Sequence, residues 1–108
     1  MKKENVVEVL YTDECPFWKE TVKLINEVIT DLKTETMIKK VRVESEKAAK
    51  KLKFPGSPTV RVNGVDIDPA ATETAGYIGC RIYRYKGSTY ELPPKQMIKS
   101  GFERLLRK

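Results

Sequence analysis

The chain has 108 residues, 40% hydrophobic and 33% charged, with a net charge of +6. That is long enough for one modest core, argues against disorder, and leaves no apolar run near the roughly 18 residues needed to span a bilayer. There is no histidine and there are only two cysteines, which excludes a His general base, a Ser-His-Asp triad and a closed four-ligand zinc site.

Residues 5–11, NVVEVLY, are apolar and β-branched without a breaker and predict a buried strand. In 16–33, Trp18, Val22, Ile25, Ile29 and Leu32 recur every three or four residues and predict a helix with one apolar stripe. Pro16 fits the first helical position, which places Cys15 at the N-cap. Residues 36–43 predict a second strand, with Met37, Val41 and Val43 on one face. Ser45 can cap a short helix running to Lys53, with Ala48, Ala49 and Leu52 inward.

FPGSP at 54–58 is a stop signal. TVRV at 59–62 and VDID at 65–68, joined by Asn63-Gly64, predict a β-hairpin with a type I′ turn. Residues 69–79 are a loop of small residues. CRIYRY at 80–85 alternates like a strand and pairs through KGS with TYEL at 89–92. Pro93 and Pro94 open a last helix with Met97, Ile98, Phe102, Leu105 and Leu106 inside. The order is βαβα, then ββ, then a helix, which predicts an α/β domain over 1–108 built on a mixed four-stranded sheet flanked by helices.

The basic residues are scattered among glutamates rather than clustered with aromatics, so neither a nucleic-acid nor a membrane partner is expected. MKKENVVEVLY is a poor signal peptide, since Glu8 interrupts its apolar stretch, and a cytoplasmic location is expected. Two cysteines then leave redox chemistry, capture of a soft metal, or plain packing. Asp66 and Asp68 fall on one strand face, as a solvated edge would, and Arg81 and Arg84 fit a solvated strand.

With TDECPFW at 12–18 following a strand and opening a helix, Ser57-Pro58-Thr59 before the third strand, and the Asn63-Gly64 hairpin, the chain resembles the thioredoxin-like superfamily. It is closest in kind to small thioredoxin- and glutaredoxin-like proteins, some labelled alkylmercury lyase-like. The resemblance covers residues 4–68 and the final helix; 69–92 is an insertion. It implies the fold βαβαββα, a cis Pro58, and Cys15 as the nucleophile of a thiol–disulfide oxidoreductase, its thiolate favoured by the helix N-terminus and opposed by Asp13 and Glu14.

Pro16, Phe17, Trp18, Ser57 and Pro58 would then bind substrate, the Ser57 backbone offering an edge for hydrogen bonds. A Trp on an apolar stripe is equally a core residue. The chain departs from the family's dithiol motif in carrying Trp18 in place of its second cysteine. It also has Asp68-Pro69-Ala70 where glutaredoxins hold glutathione. In the implied fold, the segment after 68 starts near Cys15 and delivers Cys80. Cys80 is thus either a resolving cysteine or an inert strand residue. The implied partners are a disulfide-containing protein or small thiol and a reductase of thioredoxin-reductase type, with a monomer and no cofactor. Two other readings stand beside it: a thiolate pair binding Hg, Cu or As, and a non-catalytic interaction domain.

Overall fold

A computed structural model describes residues 4–71 and 76–107. Residues 72–75, within the loop read at 69–79, lie outside the described residues. The elements are β1 (Asn5–Tyr11), α1 (Trp18–Leu32), β2 (Thr36–Arg42), α2 (Glu46–Leu52), β3 (Thr59–Val62), β4 (Val65–Asp66), β5 (Tyr83–Tyr85), β6 (Ser88–Tyr90) and α3 (Lys95–Leu105). Four strands form one sheet in the order β2-β1-β3-β4. β1 and β2 run parallel, and the other two pairings are antiparallel. This is the expected mixed four-stranded sheet. β5 and β6 pair only with each other and make a separate two-stranded hairpin.

The alternation of β1 divides the core between the two faces of the sheet. Val7 and Val9 pack with Ile25 and Val28 of α1 and with Met97, Ile98 and Phe102 of α3. Leu10 points the other way and packs with Val43, Ala49 and Phe54 around α2. Ser45 caps α2, its Oγ accepting from the Ala48 amide at 3.1 Å. Asn63 and Gly64 both have positive φ, 51° and 86°, as the type I′ turn requires. Asn63 also ties the turn to both chain ends, its Nδ2 donating to Asn5 Oδ1 at 3.0 Å and to the Leu105 carbonyl at 3.1 Å.

Three expectations change. Met37 shares its strand face with Val41 and Val43 but is 55% exposed. It lies on the edge strand β2, and α2 packs around Val41 and Val43 further along. The strand read at 80–85 begins only at Tyr83, the one read at 65–68 ends at Asp66, and the one read at 89–92 runs from Ser88 to Tyr90. The helix read from Pro16 begins at Trp18 with Phe17 as N-cap, so Cys15 is not the cap. A residue before proline is held out of helical conformation. The Cys15 amide instead closes a turn onto the Thr12 carbonyl at 3.3 Å, and the helix opens with Thr21 N–H donating to Phe17 O at 3.1 Å.

Candidate functional site

The pairing register decides what meets Cys15. Leu10 of β1 stands opposite Thr59 of β3, so the turn that follows β1 lies beside the residues that precede β3. The Thr12 amide donates to Ser57 Oγ at 3.1 Å. The Ser57–Pro58 peptide is cis.

Beyond Ser57 a second segment arrives. The Ser57 amide donates to the Gly79 carbonyl at 2.7 Å, and the Arg81 amide donates to the Ser57 carbonyl at 2.9 Å. These bonds make a parallel bridge between Ser57 and Cys80. Gly56 permits the close approach: its φ is +122°, and a Cβ there would stand 3.0 Å from the Arg81 Cβ. The bridge brings Cys80 to Cys15, and the two form a disulfide with alpha carbons 5.8 Å apart, 65 positions apart in sequence.

The disulfide is asymmetric in its access. Cys15 is 1% exposed, whereas Cys80 lies at the surface. Cys15 stands two residues before the N-cap of α1, and no side chain caps that helix end, so its first-turn N–H groups remain available to negative charge. Of the two acids expected to oppose a thiolate there, Asp13 is paired with Arg42. Thr12 Oγ1 is buried and has no hydrogen-bond partner among the described residues.

The remaining predicted residues separate. Pro16 is exposed and Phe17 half-buried beside Cys15 in the chain. Trp18 is half-buried against the core and stacks on Tyr11, with ring centroids 4.1 Å apart and planes inclined by 20°; its packing is that of a core residue. Ser57 and Pro58 are both buried. The Ser57 backbone, expected to offer substrate an edge, is already bonded on both sides by the 79–81 segment. The Pro58 carbonyl accepts from Tyr83 Oη at 2.6 Å.

Sequence reasoning missed the group that anchors the segment carrying Cys80. Arg81 is 7% exposed, not on a solvated strand face. Its guanidinium donates to Asp66 at 2.7 and 3.2 Å and to Thr59 Oγ1 at 3.1 Å, with Asp68 at 3.7 Å. Asp66 and Asp68 are therefore not a solvated edge but the counter-charges of a buried arginine. Burial alone would lower the Arg81 pKa, but the Asp66 hydrogen bond and the surrounding negative groups carry it upward. Arg81 also lies over the ring of Tyr83 at 4.2 Å. An arginine between two turn-signal segments carries no periodicity of its own; the Asp-Ile-Asp spacing at 66–68 was its one trace in sequence.

Among the described residues no cluster of three His, Cys, Asp or Glu side chains could hold a metal ion, and no helix is long and apolar enough to cross a membrane.

Fold and site together define a mixed α/β protein whose two cysteines are joined across the end of the sheet. The chain belongs to the family described as a domain of unknown function, DUF2703, which matches residues 7–101 and so includes both cysteines. No curated protein matches it.

Proposed function

We propose that the protein is a thiol–disulfide oxidoreductase of thioredoxin-like build, with Cys15 and Cys80 as its redox pair. The observation that carries this reading is the asymmetric disulfide itself: one cysteine buried just ahead of an uncapped helix, the other an exposed residue. A disulfide serving stability alone has no need of an open sulfur, whereas exchange requires that a thiolate reach one sulfur and that the other leave as a stabilised thiolate. The layering supports the same build, with α1 and α3 on one sheet face and α2 on the other.

In the reductive direction the Cys15 and Cys80 thiols give up two electrons and two protons to a substrate disulfide, which becomes a dithiol, while the Cys15–Cys80 bond forms. A dithiol of a partner reductase returns the pair to its reduced state. The test is catalysed reduction of insulin disulfides by dithiothreitol. Wild-type protein accelerates it, and Cys15→Ser and Cys80→Ser each remove most of the acceleration. Equal rates with and without wild-type protein would overturn the reading.

A further inference from the structure

Resting on the redox-pair reading, we infer that Cys80, not Cys15, is the sulfur that meets substrate. We further infer that the groove beside it receives a polypeptide cysteine flanked by apolar and acidic residues.

Thiolate attack on a disulfide is in line: the incoming sulfur, the attacked sulfur and the leaving sulfur align. The attacked atom therefore needs open space on the side away from its partner. Cys80 is the member of the pair that can be reached, since it is exposed and lines an open groove of about 580 Å³, within the range of ligand sites. Cys15, 1% exposed, has protein there. In the oxidised protein a substrate thiolate thus attacks Cys80 Sγ, the Cys15–Cys80 bond breaks, and Cys15 leaves as thiolate near the N-terminus of α1, where negative charge is favoured. In the reduced protein the Cys80 thiolate attacks the substrate disulfide and expels one substrate thiolate. Cys15 then attacks Cys80 Sγ and expels the other.

The groove states what substrate fits. Pro55, Ala70, Ala71 and Ile82 give it an apolar lining, and Ile82 is 59% exposed. Arg81 and Asp68, also on its wall, are paired with each other. Arg84 is exposed and has no ion pair among the described residues, so it is the charge the groove leaves uncompensated, and an acidic side chain complements it. Because the Ser57 backbone is bonded by the 79–81 segment, substrate is recognised by side chains in this groove rather than as an added strand at Ser57.

The test uses full-length Cys15→Ser and Cys80→Ser proteins and two synthetic nonapeptides. Each peptide has one cysteine held as a mixed disulfide with thionitrobenzoate, and Leu-Glu or Leu-Lys flanks it. Cys15→Ser, which keeps Cys80, is expected to release thionitrobenzoate about tenfold faster than Cys80→Ser, as access of the thiolate dictates. It should also react about threefold faster with the acidic peptide than with the basic one. Arg84→Glu in the Cys15→Ser background reverses that preference. Faster reaction of Cys80→Ser overturns the assignment of Cys80, and an absent or opposite peptide preference overturns the groove. Failure of the redox-pair reading shows separately: reduced wild-type protein would then keep the peptide attached as a mixed disulfide instead of releasing it as a thiol.

Discussion

Arg81 is held against Asp66 by two hydrogen bonds, at 2.7 and 3.2 Å, one residue beyond Cys80. The pair fixes the segment around Cys80 to β4 at the edge of the sheet, and Arg81 is 7% exposed. Removing one member of a buried pair leaves the other charge without compensation, which typically costs 3–5 kcal/mol. Because Asp66 keeps some solvent contact, the lower end applies. Arg81→Met is expected to lower the stability of the oxidised protein by about 3 kcal/mol, read from urea unfolding. Arg81→Met combined with Asp66→Asn should recover part of that loss. A change under about 1 kcal/mol for the single variant would show that the pair is not a structural anchor.

Tyr83 gives a pH dependence. Its side chain is fully buried, its hydroxyl donates to the Pro58 carbonyl, and burial pushes its pKa above the ordinary 10.0, with Arg81 working in the opposite direction. A raised folded-state pKa means that folding favours the neutral phenol. The contribution is fully present below about pH 10 and is lost as the pH climbs toward the folded-state value. Above pH 10 the wild-type protein is therefore expected to lose stability more steeply than Tyr83→Phe, by at most about 1.4 kcal/mol per pH unit. At pH 7 the phenol is neutral in both the folded and the unfolded state, and its ionisation does not enter the comparison. There Tyr83→Phe is the weaker by about 1–2 kcal/mol, because a buried carbonyl has lost its donor. Parallel stability curves above pH 10 would contradict this assignment.

Much of the scaffold was legible because its signals are local. Ser45 as the cap of α2 and Asn63-Gly64 as a type I′ turn depend only on their immediate neighbours. The stripe from Trp18 to Leu32 rests on helical period alone. The chain direction that the resemblance implied made a Cys15–Cys80 pair possible without deciding it against an inert strand Cys80, and the structure joins them. What sequence did not disclose depends on contacts across the fold. The backbone that binds Ser57 comes from residues 79 and 81. The counter-charges of Arg81 lie 15 and 13 positions before it, on another strand and the turn that follows. The start of α1 was misplaced by giving Pro16 its common helical position, when the Thr12–Cys15 turn precedes it. Met37 has the alternation of an inward residue, and only the edge place of β2 leaves it exposed.

Thr12 offers a test of the buried surroundings of Cys15. Its hydroxyl is buried without a partner among the described residues, and such a group carries an uncompensated desolvation cost of about 1–3 kcal/mol. Thr12→Val keeps the shape and removes the hydroxyl. In the oxidised protein it is expected to raise stability by about 1 kcal/mol, measured by the urea midpoint at constant slope. A loss of similar size would show that the hydroxyl is satisfied in solution.

On the proposed function, Cys15 and Cys80 exchange electrons with other thiols rather than merely brace the fold. The most direct measurement is a redox titration: the protein is equilibrated in dithiothreitol and glutathione buffers, free thiols are alkylated, and the masses of the chain and its peptides are read. The account predicts a monomer that loses two hydrogens on oxidation through a Cys15–Cys80 bond. Its midpoint should lie between about −280 and −180 mV, the range of exchanging dithiol proteins. A pair that stays oxidised below about −300 mV, as structural disulfides do, or two thiols that remain free across the whole series, would contradict it.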